Sequence, residues 1–193
     1  MRVILASKSP RRKELLQTIF NDFECMPSLK EEKVDKKLNY KKLAIKLSEQ
    51  KAEDIYNQTT GDRLIIGSDT MVILNNKIYG KPKNEQDAYR MLKSLSGKTH
   101  KVVTGLCVIK ELNNIKEVVM TEIISKVTFS KLSDEEIYDY IKTKEPMDKA
   151  GAYGCQGLSK KFIKKINGDF FAVMGLPVNK VYEICKNLNV LNK

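Results

Sequence analysis

Residues 63–80, with the sequence RLIIGSDTMVILNNKIYG, carry the pattern that decides the fold class. The apolar first half predicts a buried strand that ends at Asp69. The second half predicts a hairpin that turns at Asn75 and Asn76, because asparagine adopts the positive backbone angles that a tight turn needs. A carboxylate at the end of a buried strand is a common position for a ligand-binding group in α/β proteins.

The N-terminal segment predicts a strand, a turn and a helix in immediate succession. Residues 2–6 are apolar, Ser9 suits the position before a helix, and Pro10 suits the first helical position. The helix is expected to continue over residues 11–20, and a second short strand is expected over residues 23–26.

A lysine interrupts the apolar face of the next helix, which is predicted for residues 40–56. Leu43, Leu47 and Ile55 form the stripe expected to face the core, and Lys51 occupies the gap in it. The lysine could extend its stem along the stripe and place its ammonium group in water. Alternatively, it could direct a positive charge into a ligand-binding cleft. The pattern alone leaves both interpretations open.

The C-terminal half predicts alternating helices and hairpins. In chain order, the signals are a helix capped by Asn84, a long hairpin that turns at Asn113 and Asn114, a helix with the capping box Ser133 and Glu136, a hairpin that turns at Asn167 and Gly168, and a helix after Pro177. Strands and helices are mixed along the whole chain without a repeat or a linker. We therefore predict one α/β domain over residues 1–193.

The composition favours a soluble globular protein with a basic surface. The 193 residues include 35 lysines and arginines against 24 acidic residues, which gives a formal net charge of +11. Such a charge attracts polyanions, but the lysines are spread from Lys8 to Lys193 and no nucleic-acid motif is present. We expect no specific nucleic-acid partner.

Cysteine spacing and hydropathy predict a reduced, cytoplasmic setting. The four cysteines lie far apart without a Cys-x-x-Cys pair, so the sequence favours neither a disulfide framework nor a zinc site. The apolar run at the N-terminus is too short for a signal peptide, and no stretch is long enough to span a membrane. The single histidine, His100, lacks sequence partners for a metal site or a triad, which favours a structural role.

Two groups of residues could hold a polyphosphate and a metal ion. Residues 7–12, SKSPRR, place two hydroxyls and two guanidinium groups at a helix start, where they could bind phosphate oxygens. Ordinary capping with exposed arginines is the alternative. Glu31, Glu32 and Asp69 offer carboxylates for a divalent cation and a base. For Glu31 and Glu32, a solvated run of charges is the alternative.

Two further segments could contact a nucleotide. Lys81 lies between Gly80 and Pro82, which could hold it near phosphates, although a lysine in a turn is commonly a surface residue. Residues 148–157, DKAGAYGCQG, contain three glycines that allow close backbone approach and a glutamine, Gln156, whose amide could bind a base. The same glycines could simply shape a connecting loop.

Six segments in order resemble the Maf family of nucleoside triphosphate pyrophosphatases. They are LASKSPRRKELL, GSDTMV, GKP, LSGKTHKVVTG, EPMDKAGAYGCQG and INGDFFAVMGLP, and they extend along nearly the whole chain. The resemblance implies an α/β fold like that of the inosine triphosphate pyrophosphatases, with a mixed, elongated sheet, flanking helices and a nucleotide cleft between two lobes. The pattern Asp-Lys-Ala-Gly-Ala-Tyr-Gly-x-Gln-Gly resembles the branch that acts on dTTP and UTP.

The resemblance also implies roles for individual residues. Asp69 matches the family's proton acceptor, while Lys51 and Lys81 match lysines that stabilise charge as the bond between the α- and β-phosphates breaks. Glu32 best matches the acidic loop position, so Glu32 and Asp69 are the implied ligands of Mg²⁺ or Mn²⁺. The local sequence KEEK leaves Glu31 as an alternative to Glu32.

The predicted substrate-binding residues combine this match with the phosphate-binding groups at the start of the first helix. They are Ser7, Ser9, Arg11, Arg12, Thr70, Lys149 and Gln156. Of these, Arg11, Thr70 and Gln156 match positions associated with substrate choice, and a glutamine amide can pair with O4 and N3–H of uracil or thymine. Ser68 replaces the more common alanine before the catalytic aspartate.

The implied activity is metal-dependent hydrolysis of dTTP and UTP to the nucleoside monophosphate and pyrophosphate. Modified uridine triphosphates share the edge that Gln156 would bind, so the sequence does not separate them. Two other classes are a regulatory binding protein, given the family's association with arrested cell division, and a nucleic-acid binder drawn to the basic surface. The sequence leaves the oligomeric state open, with a homodimer as one alternative.

Overall fold

The computed structural model describes residues 1–31, 33–35 and 37–191 of the chain. Within those residues the strands are β1 (Arg2–Leu5), β2 (Glu24–Cys25), β3 (Arg63–Leu74), β4 (Lys77–Tyr79), β5 (Thr99–Leu112), β6 (Ile115–Phe129) and β7 (Ile163–Asn167). The helices are α1 (Pro10–Leu16), α2 (Tyr40–Gln58), α3 (Glu85–Leu95), α4 (Asp134–Lys142), α5 (Phe170–Met174) and α6 (Val178–Asn187). Short 3₁₀ helices lie between α4 and β7, at Glu145–Asp148, Ala150–Ala152 and Leu158–Phe162.

The described strands form a mixed sheet with the order β2-β1-β3-β5-β6-β7, and β4 pairs with β3. β1 runs parallel to β2 and β3, whereas β4 is antiparallel to β3 and β7 is antiparallel to β6. The predicted α/β class, with a mixed sheet and flanking helices, is confirmed.

The chain divides into two compact units. Unit 1 comprises Met1–Asp69, Thr104–Ile123 and Gly175–Lys193, and unit 2 comprises Thr70–Val103 and Ile124–Met174. β3, β5 and β6 each contribute residues to both units, so the boundary falls within strands and not in a linker. In β3 the boundary separates Asp69 from Thr70.

Helix α2 packs directly against the strands of unit 1. Its predicted apolar stripe is buried. Two glycines allow the close approach: a Cβ on Gly67 of β3 would lie 2.5 Å from the Ser48 carbonyl oxygen, and one on Gly105 of β5 would lie 2.0 Å from that of Ala44. A side chain at either position would therefore force the helix away from the strands.

Aromatic rings fill much of the core of unit 2. Phe129 of β6 meets Tyr153 edge to face with ring centroids 4.7 Å apart, and Phe162 meets Tyr140 in the same way at 5.4 Å. Buried aliphatic residues of α3 and α4 pack around these rings. Because Tyr153 and Phe162 belong to the connection between α4 and β7, this core also holds the glycine-rich segment of the sequence.

The two predicted Asn-Asn turns and the predicted caps of α3 and α4 are confirmed. The four asparagines of the two predicted Asn-Asn turns have positive φ angles between 50° and 61°. The Asn84 side chain accepts a hydrogen bond from the Asp87 backbone N–H at the start of α3, and Ser133 with Glu136 forms the capping box of α4. These signals are local, so they hold wherever the segment lies in the fold.

The prediction that a strand ends at Asp69 is wrong. β3 continues to Leu74, and residues 72–74 pair with β4. A charged side chain does not interrupt a strand, because the hydrogen bonds between strands join backbone groups that Asp69 and Thr70 also possess. Within β3, which is described throughout, these two residues are the half-buried positions and all the others are buried.

The predicted hairpin at Asn167 and Gly168 is also wrong. β7 ends at Asn167, and α5 follows in place of a second strand. The Asp169 carboxylate accepts a hydrogen bond of 3.0 Å from the Ala172 backbone N–H and so caps a helical turn.

No helix in the described part of the chain is long and apolar enough to cross a membrane.

Candidate functional site

The segment that joins β1 to α1 gathers hydroxyl and guanidinium groups. Ser7 is buried, and its Oγ accepts hydrogen bonds from the Ser9 backbone N–H at 3.1 Å and from Arg12 Nη1 at 3.4 Å. Ser9 occupies the position before α1, as predicted, but its side chain makes no capping hydrogen bond. α1 ends at Leu16, earlier than predicted. Hydroxyl and guanidinium side chains are therefore gathered at the start of α1.

The carbonyl oxygen of Gly175 connects this segment to β3. It accepts hydrogen bonds from Arg12 Nε at 2.9 Å and from Ser68 Oγ at 2.8 Å. Ser68 is fully buried and immediately precedes Asp69. The serine that replaces the more common alanine therefore helps to join the arginine segment to the strand that carries Asp69.

Lys51 and Asp69 form an ion pair. Lys51 Nζ donates a hydrogen bond to Asp69 Oδ1, and the two side chains are 16% and 14% exposed. The ammonium group therefore does not extend into water, as a snorkelling lysine would. Water screens such a pair less than it screens a pair on the surface. We refer to Lys51 and Asp69 as the unit 1 cluster.

The packing of α2 explains why Lys51 meets Asp69. Side chains alternate along a strand, so position 67 faces the same side of β3 as Asp69. Position 67 is the glycine against which α2 packs, and a Cβ there would lie 3.0 Å from the Cβ of Ala52. Lys51 precedes Ala52, so the close contact of helix and strand places its ammonium group beside the carboxylate.

The acidic loop before α2 is described only in part. Glu32 lies outside the described residues, so its role as a metal ligand stays a prediction, and Glu31 is exposed. Helix α2 holds the loop on both sides of these glutamates. The Asp54 carboxylate accepts hydrogen bonds from Ser28 Oγ at 2.8 Å and from the backbone N–H of the next residue at 3.2 Å. Gln50 exchanges two hydrogen bonds with the backbone of Lys33, at 2.9 and 3.0 Å.

The ionised form of Asp54 is the form that holds this loop. Burial alone would raise the pKa of Asp54, but hydrogen bonds from Ser28, Lys30 and Gln58 outweigh it and lower the pKa from 3.8 to about 2. Asp54 is 2% exposed, and its carboxylate is charged at neutral pH. It anchors the loop through that charge.

Asp69 is the carboxylate that the unit 1 cluster offers to a divalent cation. Within residues 1–31, 33–35 and 37–191, no three His, Cys, Asp or Glu side chains come together in a group that could hold a metal ion. Magnesium is commonly bound by one or two carboxylates together with phosphate oxygens, and not by a cage of protein ligands. Asp69 is a carboxylate of this kind, so its chemistry is compatible with Mg²⁺ or Mn²⁺, and the metal ion stays a prediction.

Arg11 lies half-buried in α1 of unit 1, and the remaining predicted site residues belong to unit 2. They are Thr70, Lys81, Lys149 and Gln156. Lys81 is exposed, whereas the other three are half-buried. The Gly151 backbone N–H donates a hydrogen bond of 2.9 Å to the carbonyl oxygen of Gly80. The structure therefore brings the segment around Lys81 next to the glycine-rich segment.

Lys149 packs along the backbone of Gly154. A Cβ on Gly154 would lie 3.1 Å from Lys149 Cδ and 3.2 Å from Cε. Lys149 Nζ donates hydrogen bonds to the Glu145 carbonyl oxygen at 2.5 Å and to Asp148 Oδ1 at 2.7 Å. The glycine thus makes room for the stem of a lysine that is 10% exposed.

His100 lies in the core of unit 2, which agrees with its predicted structural role. The ring is 2% exposed, shares a hydrogen bond of 2.6 Å with the Tyr153 hydroxyl, and meets Phe129 edge to face. Burial lowers the pKa of His100 to about 4, so the ring is neutral at neutral pH. The contact also attaches the glycine-rich segment to the core.

The sequence matches a family model along both units. The model is described as Maf-like protein, and the match covers residues 2–188, from β1 through α6. The chain belongs to the Maf family. The resemblance predicted from six ordered segments is therefore confirmed.

Relatives of this Maf chain are similar along nearly their full lengths. A protein of Alkaliphilus oremlandii (strain OhILAs), named dTTP/UTP pyrophosphatase, is 51% identical over 185 residues, which are 96% of this chain and 95% of that protein. A protein of Aquifex aeolicus (strain VF5) with the same name is 48% identical over 193 residues, which are 99% of this chain and 97% of that protein.

Two solved structures resemble the Maf chain more distantly. The Ham1 protein of Staphylococcus aureus is 12% identical with a TM-score of 0.43, over 67% of this chain and 72% of that one. A nucleoside-triphosphatase / dITP/XTP pyrophosphatase of Mycobacterium abscessus is also 12% identical with a TM-score of 0.46, over 100% of both chains. With scores this low, the family assignment rests on the sequence matches.

The sequence did not indicate four residues that contact the acidic loop or the segments carrying predicted site residues. They are Gln50, Asp54, Glu145 and Gly175. For Asp54 the sequence gives one indication. A carboxylate one turn after Lys51 on a buried helix face needs hydrogen-bond partners of its own. Glu145 opens the EPMDKAG segment, but its side chain accepts a hydrogen bond from a backbone group thirteen residues away, which no spacing rule indicates.

Proposed function

We propose that this Maf protein hydrolyses dTTP and UTP between the α- and β-phosphates. Water attacks the α-phosphorus, one of its protons passes to a base, and the bond from this phosphorus to the bridging oxygen breaks. The products are the nucleoside monophosphate and pyrophosphate. Two relatives that match along nearly the whole chain are named dTTP/UTP pyrophosphatase, which supports the substrate class.

The half-buried ion pair of Lys51 and Asp69 is the observation that carries the proposal. Hydrolysis of a phosphoanhydride needs a group that orients and deprotonates water, and positive charge that stabilises the developing negative charge. The unit 1 cluster contains both, already in contact. Through Gly175 it is joined to an arginine and serine segment suited to phosphate oxygens.

Hydroxyl, guanidinium and ammonium groups bind the triphosphate in this proposal. The phosphates are held by Ser7, Ser9, Arg11 and Arg12, with Lys51 and Lys81 stabilising charge as the bond breaks. Arginine suits this task because its planar fork binds two phosphate oxygens at once. Serine adds compact donors at short range.

Asp69 has two tasks in the proposed reaction. With Glu32 it binds a divalent cation, Mg²⁺ or Mn²⁺, and it also accepts the proton of the attacking water. When bound, such a cation neutralises phosphate oxygens and stabilises charge on the leaving pyrophosphate. An ionised carboxylate has about four acceptor sites on its two oxygens, so Asp69 can serve a cation and a water while Oδ1 keeps its hydrogen bond to Lys51.

Base recognition is assigned to Thr70 and Gln156, with Lys149 as a further substrate-binding residue. Uracil and thymine present the O4 acceptor beside the N3–H donor, and one amide can donate to the first and accept from the second. Cytosine reverses this pattern, so one orientation of Gln156 leaves a polar group unpaired at a cost of about 1–3 kcal/mol. We therefore expect dTTP and UTP to be preferred over CTP by roughly 5- to 150-fold.

A panel of nucleoside triphosphates with purified protein and Mg²⁺ or Mn²⁺ tests the proposal. Each reaction is scored separately for monophosphate, pyrophosphate and orthophosphate. We expect monophosphate and pyrophosphate in equal amounts, with dTTP and UTP as the best substrates. Release of orthophosphate and a diphosphate would place the cleavage at another bond, and faster hydrolysis of GTP or 7-methyl-GTP would overturn the assignment to pyrimidine substrates.

A reduced, cytoplasmic setting is part of the same proposal. All four cysteines, Cys25, Cys107, Cys155 and Cys185, are free thiols. Burial raises the pKa values of Cys107 and Cys185 to about 12, so both thiols stay protonated and unreactive at neutral pH. Cell fractionation followed by immunoblotting tests this setting.

A further inference from the structure

Gln156 lies in a short span of backbone that side-chain hydrogen bonds close at both ends. We refer to residues 145–159 as the glycine loop. Within it, Gly154 and Leu158 flank the three residues that include Gln156. Each flanking residue is held by a different side chain.

Ser159 holds the first end of this span. Its Oγ accepts a hydrogen bond of 3.0 Å from the Gly154 backbone N–H and donates one of 2.7 Å to the Gly154 carbonyl oxygen. Ser159 is fully buried, so water does not compete for these bonds. The backbone on both sides of Gly154 is therefore held in one orientation.

Glu145 holds the second end. Its carboxylate accepts a hydrogen bond from the Leu158 backbone N–H, with distances of 3.0 Å to Oε2 and 3.2 Å to Oε1. Gly157 has a φ angle of 81°, and a Cβ there would lie 2.5 Å from Glu145 Oε1. Glycine combines this backbone angle with such a close approach. Gly157 therefore leaves room for the Glu145 carboxylate beside the backbone that follows Gln156.

Glu145 is also connected to the first end of the span and to Lys149. The Tyr140 hydroxyl lies 3.1 Å from Glu145 Oε1 and 3.1 Å from Ser159 Oγ. The Glu145 carbonyl oxygen accepts the hydrogen bond from Lys149 Nζ. Glu145 therefore contacts the backbone two residues after Gln156 through its carboxylate, and Lys149 through its carbonyl oxygen.

We propose that Glu145 is a positioning residue that maintains discrimination between uracil and cytosine nucleotides by holding the backbone of Gln156. The proposal rests on the proposed function, in which Gln156 binds the base. A mismatched polar pair costs binding free energy only while the loop backbone stays in place, because a backbone that moves away lets water hydrogen-bond to the unpaired groups. In this proposal Glu145 and Ser159 prevent that movement of the backbone, so the unfavourable free energy of binding cytosine is retained.

The test compares kcat/KM for UTP and CTP in the wild-type protein and in variants of Glu145. Glu145→Ala is expected to lower the UTP-to-CTP ratio of kcat/KM by at least ~5-fold, because the loop can move away from cytosine. Glu145→Gln keeps an acceptor oxygen for the Leu158 N–H and is expected to retain the ratio within ~2-fold. Glu135→Ala, which removes an exposed carboxylate from α4, is the matched control.

A folded Glu145→Ala variant that loses activity toward UTP and CTP in parallel would overturn the proposal, as would a glutamine variant that behaves like the alanine variant. If thermal unfolding shows that Glu145→Ala does not fold, Tyr140→Phe decides instead. It keeps the ring and removes the hydroxyl, so a lowered ratio supports the role of Glu145 and an unchanged ratio overturns it.

Wild-type protein that hydrolyses no UTP, or that hydrolyses UTP and CTP equally, rejects the proposed function itself. A wild-type preference that survives in Glu145→Ala rejects the role of Glu145 alone.

Discussion

The unit 1 cluster and the glycine loop hold their polar side chains in different ways. Lys51 and Asp69 project from a helix and a strand, whose backbone hydrogen bonds do not depend on those side chains. In the glycine loop, regular structure is limited to short 3₁₀ helices, and Glu145 and Ser159 bind backbone groups directly. The cluster therefore takes its geometry from the packing of a helix on strands, whereas the loop depends on individual side chains.

This difference predicts how each region responds to substitution. In the unit 1 cluster, changing a reacting group should remove chemistry and leave the scaffold, because α2 remains packed at Gly67 and Gly105. In the glycine loop, changing a group that touches no substrate should still alter recognition. The following substitutions test this contrast, from the largest expected effect to the smallest.

Asp69→Asn should lower kcat for dTTP at least ~10²-fold, because it removes the proposed proton acceptor and one negative charge. The amide can still accept the hydrogen bond from Lys51, so the fold should be kept. Steady-state kinetics with Mg²⁺ or Mn²⁺ and a thermal unfolding curve measure the two effects. Asp22→Asn, at an exposed aspartate after α1, is the control. A folded Asp69→Asn protein with near-normal kcat would remove Asp69 from the role of base.

Lys51→Met should lower kcat/KM by roughly 5- to 150-fold, since a charge-assisted contact contributes about 1–3 kcal/mol. Lys46→Met on the same helix is the control, because Lys46 is exposed and pairs with Glu49. In a double-mutant cycle with Asp69→Asn, the combined loss should be smaller than the product of the single losses, because the two side chains are in contact. An unchanged kcat/KM would leave the ion pair without a catalytic role.

Gln156→Ala should bring the UTP-to-CTP ratio of kcat/KM close to one, because the amide that distinguishes the two base edges is lost. The products should still be the monophosphate and pyrophosphate, since the reacting groups belong to the unit 1 cluster. Gln86→Ala, an exposed glutamine of α3, is the control. A preference for UTP that persists in Gln156→Ala would assign base recognition to other residues.

Asp54→Asn should reduce the free energy of unfolding by about 1–3 kcal/mol at neutral pH, because a buried, hydrogen-bonded charge is lost. The pKa of Asp54 is lowered from 3.8 to about 2 in the folded protein, so its contribution is complete above pH 4 and is lost as the pH falls through about 2. The difference between wild type and variant should therefore shrink over this interval. Denaturant titrations from pH 7 to pH 2 would contradict the expectation by showing a constant difference.

Ser68→Ala should have the smallest effect, a loss of about 0.5–1.5 kcal/mol of stability, because one buried hydrogen bond disappears. The Gly175 carbonyl oxygen keeps its hydrogen bond from Arg12 Nε, so it is not left unpaired. For a chain of this size, 1 kcal/mol corresponds to roughly 2–4 °C in Tm. Scanning calorimetry measures the shift, and a loss several times larger would mean that Ser68 supports more of β3 than this one contact.

Two elements that the sequence predicted wrongly share a physical cause. The predicted strand end at Asp69 failed because β4 pairs with the residues that follow, and pairing depends on a partner strand. The predicted hairpin after Asn167 failed because Asp169 caps a helical turn that begins a run of five apolar residues, 170–174. In both cases the local pattern allowed two structures, and a neighbouring group selected one.

By itself, the sequence determined the Maf family, the α/β class, the Asn-Asn turns, the caps of α3 and α4 and the anomaly of Lys51, because each depends on residue types at fixed spacing. Only the tertiary structure decided that Lys51 pairs with Asp69, that Gly175 joins Arg12 to Ser68, and that Glu145 closes the glycine loop. These partners lie 13 to 163 residues apart along the chain. They meet because helix and strand packing brings distant segments together, and a local pattern carries no information about which distant group will arrive.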